Sequence, residues 1–546
     1  MTTEPVAPDV VGVSDDFPVT FQDPSDLEFT WEWDDMHMPF ALSPLACDWA
    51  VMLGNQFEAW RTPEFAGYPL ERRATTWNGY AYYGFRRTAE GPERDAWIAR
   101  AVDYYRAREA VTEAYWNDEV VPELRTIYRE MRAAPIEDGS LADVAAAWET
   151  GWAGAVRAWQ LHFIVILGPY QIADDIADLY ETVVPGAPAG EALHLLQGTK
   201  HELYESSAGI DRLVEVAAAA PAIKAALRAG VRAIPALADV PGGGPFVEQL
   251  EGFLAVHGHL GQSVDDLALA SWGEEPALLM GEIAKRLDHP VEPAEIRRAR
   301  LERSAIELAD RARSRLADRP DDLARFEAVL ALGRRIGPLT EVHNYWIDRA
   351  SQAETRRLAL RVGSRLQREG VLERADDVLY LHQDEIGPLL RAPSDQRSLI
   401  AARRADHDRH RQLRPPAVIG KPLPERPPDR FEGVKQVSDE ADVLRGTGAS
   451  AGSVRGPARI VLTSNEFDRI QPGDIIVCPS SNPSWVPVFT IAAGLVTNTG
   501  GVLSHAAVVA REFGLPAVVG VSGATGTIVD GREVEIDGTA GTVRLL

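Results

Sequence analysis

The sequence is short of lysine and cysteine and contains no long hydrophobic run. Only five of its 56 basic residues are lysines, none before position 200, so nearly all positive charge is arginine. The two cysteines, Cys47 and Cys478, lie far apart, which excludes a disulfide scaffold and a cysteine zinc site. No run of about 18 apolar residues occurs, so we expect no transmembrane helix. The acidic N-terminus lacks the apolar core of a signal peptide, and we expect a cytoplasmic protein.

The charge balance is strongly acidic. The 81 acidic and 56 basic residues give a formal net charge of −25. Nucleic acids and anionic membranes both require a basic surface, so neither is expected as a partner. With 45% hydrophobic residues, the 546-residue chain has an ordinary globular composition. Its length predicts about three or four domains.

The residue pattern predicts a multidomain α plus α/β protein with four parts. Residues 1–29 are polar and predict a flexible arm. Residues 30–413 predict a mainly helical, acceptor-binding region, in which Pro320 marks a helix break and Gly337 a helix end. Residues 414–444 begin with six prolines in fifteen residues and predict a linker. Residues 445–546 predict a compact α/β domain.

Short β-branched runs between glycines predict the strands of this last domain. They read ARIVL, DIIVCP, LVTNT, PAVVG, GTIVD, REVEID and TVRLL. Two segments near 484–493 and 505–513 predict helices between them.

The segment from Leu495 to Gly520, LVTNTGGVLSHAAVVAREFGLPAVVG, carries the clearest chemical signal. A glycine pair follows a strand, Ser504 is suited to cap a helix, and His505 would occupy its first turn. Unpaired amides and the positive end of the helix dipole stabilise a phosphate there. They also keep an imidazole neutral and nucleophilic. The local pattern predicts a histidine that accepts a phosphoryl group, with an exposed histidine after a turn as the alternative.

The motifs TNTGG, SHAAVVARE and GLPAVVG resemble the mobile phosphohistidine domain of the phosphoenolpyruvate (PEP)-utilising enzymes. The upstream stretch GDIIVCPSSNPSWVP is similar to the same domain. The resemblance covers residues 445–546 and implies a swivelling β/β/α fold in which His505 is phosphorylated. Expected phosphate-binding residues around it are Thr499, Gly500, Gly501, Ser504 and Arg511. For Arg511, covering the helix surface is the alternative role.

Two further stretches resemble the helical domain of rifampin phosphotransferase-like enzymes. They are FLAVHGHLGQSVDDLALASWGEEP, from Phe253 to Pro276, and ADDVLYLHQDEI, from Ala375 to Ile386. The first contains His259, which could take the hydroxyl proton of an acceptor, and His257, a candidate substrate-binding residue. For both, a packed or capping histidine is the alternative.

The resemblance implies a subunit of an ATP-dependent phosphotransferase. ATP and Mg²⁺ are expected on a separate ATP-grasp partner subunit, and no cofactor is expected to bind this chain tightly. Split systems of this kind phosphorylate phenol or cresol, so we expect a small aromatic hydroxyl acceptor. Alternatives are a phosphocarrier or regulatory module without its own acceptor site, or a phosphotransferase acting on pyruvate or an antibiotic.

Two remaining features have structural alternatives. Ten of the 13 tryptophans precede position 160, and Trp77 and Tyr80 could line an aromatic pocket or belong to the core. Asp174, Asp175 and Asp178 spell DDxxD, which binds Mg²⁺ and diphosphate in some enzymes, but a solvated helix face is the interpretation we favour. No metal site is predicted.

Overall fold

The computed structural model describes residues 11–57, 70–187, 191–261, 265–422, 442–462, 464–481, 485–501 and 504–546. The chain divides into two compact units. Unit 1 comprises residues 1–167, 265–269 and 346–427, and unit 2 comprises residues 168–264, 270–345 and 428–546. Among the described helices, none combines the length and the apolar character needed to cross a membrane.

Helices dominate the described chain up to residue 410. The α-helices are α1 (Pro44–Asn55), α2 (Gly91–Tyr115), α3 (Val121–Ala133), α4 (Leu141–Val165), α5 (Leu167–Val183), α6 (Glu202–Ala219), α7 (Pro221–Arg228), α8 (Ile234–Ala238), α9 (Gly243–His257), α10 (Pro276–Asp288), α11 (Ala294–Arg315), α12 (Pro320–Ile336), α13 (Leu339–His343), α14 (Ala350–Arg368), α15 (Gln383–Arg391), α16 (Arg397–His410), α17 (Val486–Phe489), α18 (His505–Phe513) and α19 (Ala524–Thr527). Helix α12 begins at Pro320 and Gly337 caps its end, as the sequence predicts.

The strands form two sheets. They are β1 (Thr30–Trp33), β2 (Leu70–Trp77), β3 (Tyr80–Arg87), β4 (Val418–Gly420), β5 (Val443–Arg445), β6 (Thr447–Ser450), β7 (Ser453–Ile460), β8 (Ile475–Cys478), β9 (Gly494–Thr497), β10 (Ala517–Val519), β11 (Glu533–Asp537) and β12 (Thr542–Leu545).

Unit 1 contains a four-stranded antiparallel sheet that the sequence analysis did not predict. Its strand order is β2-β3-β1-β4. Strands β2 and β3 form a hairpin around Asn78 and Gly79, both with positive φ. Asn-Gly between β-rich runs is a strong hairpin signal, although it lies within residues 30–413, which the sequence predicts to be mainly helical.

Aromatic side chains fill the core beside this sheet. Trp77 and Tyr80 are buried there with Phe17 and Trp31. The Tyr80 hydroxyl donates to the carbonyl of Leu413 at 3.1 Å. These contacts favour the core alternative over the predicted substrate-binding role of Trp77 and Tyr80.

The predicted arm and linker are partly folded. Within residues 11–29, Phe17 and Phe29 are fully packed, and Val11 pairs with Gly420, so this part is not a loose arm. The same Gly420 ends strand β4, which pairs with β1. Residues 423–441 of the predicted linker lie outside the described residues.

Unit 2 ends in an eight-stranded mixed sheet with order β5-β12-β11-β7-β8-β9-β10-β6. Strands β7 to β10 are parallel to one another, and the flanking pairs are antiparallel. Helices α17 and α18 cover one face, and α19 lies on the other side with Val521 and Ile528. The run GTIVD is not a strand, because α19 ends within it at Thr527. The remaining architecture confirms the predicted α/β domain.

Trp31 tests the aromatic core of unit 1. The side chain is 1% exposed and its Nε1 donates to Asp26 O at 2.9 Å. Trp31→Ala should therefore destabilise the unit by about 3–5 kcal/mol through lost burial and a residual cavity. Val111→Ala, at a site 57% exposed, should change stability by less than about 0.5 kcal/mol. Calorimetric melting should separate the two variants, and equal melting temperatures would contradict this account of the core.

Candidate phosphohistidine site and acceptor region

Helix α18 begins directly after a glycine turn at the carboxyl end of β9. Gly500 has φ +104°, a conformation that side-chain-bearing residues rarely adopt. Ser504 is the N-cap, with its Oγ accepting from Ala507 N at 3.4 Å. Gly514 ends the helix at φ +62°. The predicted strand, turn, cap and helix end are all present.

His505 is the first residue of α18. Backbone amides in the first turn of a helix lack intrahelical acceptors, and the helix dipole adds positive potential there. Together they favour an anionic group next to His505. The side chain of His505 lies outside the described part of the structure.

Hydrogen bonds fix the loop between β9 and the glycine turn. Thr499 donates from Oγ1 to Pro479 O at 3.1 Å, and Thr497 donates to Thr499 O at 2.7 Å. Asn498 bonds to Thr525 through both its amide nitrogen, at 2.7 Å, and its amide oxygen, at 2.9 Å. These bonds give Thr499 a role in holding the loop; its predicted phosphate contact stays a prediction.

Arg511 is buried inside the sheet domain. Its Nη1 donates to Ala449 O at 3.0 Å, and the neighbouring Ser450 Oγ donates to Ala510 O at 3.3 Å. Burial lowers the pKa of the Arg511 guanidinium to about 10, although Glu512 opposes the shift. These contacts attach α18 to β6. The burial of Arg511 argues against the surface-covering role, and its predicted phosphate contact stays a prediction.

Helix α11 contacts the end of α18 within unit 2. Arg300 donates from Nη2 to the Glu512 carbonyl at 2.6 Å, and the Arg297 guanidinium lies 4.3 Å from the Phe513 ring centroid. Burial raises the pKa of the Glu512 carboxyl, while Arg297, Arg511 and Arg300 act in the opposite direction. The carboxyl end of α18 is therefore held by the positive charges of α11.

The two histidines predicted for the acceptor lie together in unit 2. The hydroxyl of Tyr345 is 3.0 Å from Val256 O and 3.1 Å from His257 Nδ1. The His259 ring stands edge-on to Tyr345, with ring centroids 4.4 Å apart. Burial, aided by Arg212, lowers the pKa of His257 to about 4, so its imidazole is neutral at pH 7. The substrate-binding and catalytic roles of the pair stay predictions.

A His–Asp pair that the sequence analysis missed lies in unit 1. His37 Nδ1 is 2.9 Å from Oδ1 of Asp34. Asp34 follows β1, and its backbone N–H donates a hydrogen bond to Ala81 O at 3.0 Å. Removal from water opposes protonation of His37, but Asp34, helped by Asp265 and Asp348, raises the pKa of His37 to about 9. Burial alone would raise the pKa of Asp34. The charge and hydrogen bonds of His37 outweigh burial, so the pKa of Asp34 is lowered.

Two further buried acid–base pairs surround this one. Asp265 forms an ion pair with Arg349, and both are at most 5% exposed. Asp348 accepts from His162 Nδ1 at 3.0 Å. Asp265 follows His259 closely in sequence, yet it belongs to unit 1, where its amide donates to His37 O at 3.0 Å.

The DDxxD carboxylates give no sign of a cation site. Asp175 accepts from Gln171 Nε2 at 3.0 Å, and Asp178 is exposed on α5. Across the described ranges, these three carboxylates do not come close enough together to share an ion. The solvated helix face is the interpretation that the structure favours.

Two family models match the chain. Residues 470–541 match the PEP-utilising enzyme mobile domain, and residues 165–341 match the rifampicin phosphotransferase fourth domain. The predicted resemblance to the PEP-utilising enzymes is thereby confirmed for the C-terminal domain and for the stretch from Phe253 to Pro276, whereas the stretch from Ala375 to Ile386 lies outside both matches.

Curated relatives extend this similarity. A rifampicin phosphotransferase of Streptomyces sviceus is 32% identical over 57% of this chain and 36% of its own length. An uncharacterized phosphotransferase of Bacillus subtilis is 28% identical over 55% of this chain and 36% of its own length. A chondramide synthase of Chondromyces crocatus is 28% identical over 97% of this chain. The chain spans 14% of that synthase and about a third of the two phosphotransferases.

Gly500→Val tests the glycine turn. A Cβ at Gly500 would lie 2.7 Å from Ser504 Oγ, and φ +104° resists any β-branched residue. The variant should disturb the helix cap and lower phosphorylation of the chain at least tenfold in an acid-labile phosphate assay. Gly473→Val is the matched control, since Gly473 has φ +95° but no described atom within 4 Å. Equal phosphorylation of both variants would show that the turn around Gly500 is not special.

Proposed function

We propose that this chain belongs to a phosphotransferase in which His505 carries the phosphoryl group to a hydroxyl acceptor. The main support for this proposal is the position of His505. It is the first residue of α18, after a glycine turn, in a domain that matches the PEP-utilising mobile domain. A neutral imidazole there can attack phosphorus, and the helix amides can stabilise the transferred charge.

The comparisons favour an antibiotic-like acceptor over the phenol or cresol expected from the sequence. The support is a match to the rifampicin phosphotransferase fourth domain and relatives with that name. The core positions of Trp77 and Tyr80 also remove one argument for a phenol pocket. We therefore propose a larger hydroxylated compound such as rifampicin as the first acceptor to test.

The phosphoryl donor in this proposal is ATP, bound with Mg²⁺ by an ATP-grasp partner. The support is the resemblance to split phosphotransferases. Phosphoryl transfer requires little from the protein beyond positioning and charge stabilisation. One histidine can therefore serve a donor site and an acceptor site in turn.

His505→Ala tests the phosphocarrier. The chain is incubated with Mg²⁺, an ATP-grasp protein and ATP labelled at the β or γ phosphate, and acid-labile label on the chain is counted. The native chain should be labelled and His505→Ala should not, while its melting temperature stays near the native value because only one helix-terminal side chain is removed. His289→Ala, an exposed histidine in the same unit, is the control and should label normally.

Labelling of His505→Ala at the native level would refute the proposed carrier. A panel of rifampicin, phenol and pyruvate, followed by product mass, then distinguishes acceptors. Native chain that is labelled but yields no phosphorylated product with any hydroxyl compound would indicate a carrier or regulatory module instead.

A further inference from the structure

The sheet domain of unit 2, from β5 to β12, is contacted at two places by basic side chains of α10 and α11. The first contact lies between β7 and β8. Lys285 of α10 donates from Nζ to the carbonyl of Phe467 at 2.6 Å. The Phe467 ring stands edge-on to Trp485, which is buried in the core of the domain, with ring centroids 4.9 Å apart. Lys285 therefore holds a loop that is attached to this core.

The second contact lies at the carboxyl end of α18. Arg300 of α11 donates from Nη2 to the carbonyl of Glu512 at 2.6 Å, and the Arg297 guanidinium lies over the Phe513 ring at 4.3 Å. The last carbonyls of a helix lack intrahelical partners and mark the negative end of its dipole, so cations are favoured there. The helix that begins with His505 is thus held from its far end by α11.

The apolar cores on the two sides of these contacts are separate. The core around Phe489 is formed by side chains within residues 449–519 of the sheet domain. The core around Phe326 is formed by side chains within residues 176–330. Interfaces inside a chain permit relative motion unless they are large and hydrophobic. Since the two contacts are made by charged side chains, they can hold the sheet domain and still release it.

The burial of Arg297 acts against the docked arrangement. This residue is 8% exposed, and removal from water lowers the pKa of its guanidinium, whereas Glu512 acts in the opposite direction. Desolvation of a cation is costly, and an aromatic face recovers only part of that cost. Arg300 avoids most of the cost, because its side chain is 42% exposed and pairs with Glu292 at 2.9 Å. Gain and cost are therefore opposed, as expected for a contact that opens and closes.

We propose that Lys285, Arg297 and Arg300 form a reversible latch that docks the sheet domain on α10 and α11 and withholds His505 from the subunit that phosphorylates it. The proposal rests on the proposed function, because it concerns the access of a partner to His505. The strength of the latch then sets the fraction of chains that can be charged.

The latch and a partner protein compete for neighbouring surface. A standard interface covers about 800 Å² on each protein, which corresponds to a patch with a radius of about 16 Å. Phe513 follows His505 by eight residues on α18, about 12 Å along the helix axis. A partner seated on His505 therefore extends over the end of α18 that α11 covers in the docked arrangement.

The test measures docking by single-molecule energy transfer between two dyes on the full chain. The dyes are attached to Ile306→Cys on α11 and Val529→Cys on the sheet domain, at sites that are 48% and 64% exposed. Cys478 is fully buried, and Cys47 is replaced by alanine so that it takes no dye. The native sequence at the latch should give one dominant transfer efficiency.

Arg300→Glu reverses the charge that meets the end of α18. It should lower the ratio of docked to undocked chains at least about tenfold, the effect of losing one charge-assisted hydrogen bond, and produce a second transfer efficiency. Lys285→Ala, at the other contact, should act in the same direction. Arg300→Lys keeps a cation and should restore most of the docked population. Arg303→Glu is the matched control, because Arg303 is exposed on the same helix and its replacement should leave the native distribution unchanged.

Charging of the chain by an ATP-grasp protein and labelled ATP supplies a second readout. Arg300→Glu should be labelled faster than the native chain, because a larger fraction of its molecules is undocked. Arg303→Glu should be labelled at the native rate. A defect in folding would slow labelling instead, so a faster rate separates release of the latch from structural damage.

Three results would overturn the latch. They are a native distribution of transfer efficiencies in both Arg300→Glu and Lys285→Ala, an equal change in Arg303→Glu, and labelling of an undocked Arg300→Glu chain at or below the native rate. The energy-transfer measurement requires no phosphorylation. A failure to label any of the chains therefore counts against the proposed function, while the transfer efficiencies still decide whether the domain is held by this contact.

Discussion

The proposed chemistry of this chain depends on one constraint, the start of α18 at His505 after the glycine turn that follows β9. Gly500 adopts a positive φ and Ser504 caps the helix, so that His505 becomes its first residue. As the first residue of α18, the histidine lies beside the first-turn amides, where an anion such as phosphate is favoured. The loop bonds of Thr499 and Asn498 hold this turn at the end of the parallel strands.

The other end of α18 is fixed by arginine. Arg511 is buried and bonds to β6, while Arg300 of α11 bonds to the Glu512 carbonyl. Positive charge at a helix carboxyl end is favourable, because it meets the negative end of the dipole and the unpaired carbonyls. The scarcity of lysine is consistent with this use, since guanidinium groups bond several carbonyls in fixed directions and tolerate burial better.

Features formed by residues close together in the sequence could be predicted, whereas features formed by residues from distant segments could not. Ser504, His505 and Gly514 lie within eleven residues, so cap, first turn and helix end followed from one short segment. The hairpin at Asn78-Gly79 is equally local, but it lies within residues 30–413, for which the sequence predicts mainly helix. Asp34, His37, Asp265 and Arg349 come from three distant segments, and no spacing in the sequence brings them together.

His257 and His37 differ in protonation because their neighbours differ in charge. His257 is buried beside the Tyr345 hydroxyl with Arg212 nearby, so its ring is neutral but has a pKa of only about 4. A ring so weakly basic holds an abstracted hydroxyl proton poorly. His37 lies in the opposite environment, half-exposed and facing carboxylates, and its ring binds a proton strongly. Of the two environments, the one around His37 stabilises an imidazolium, because the Asp34 carboxylate lies 2.9 Å from its Nδ1.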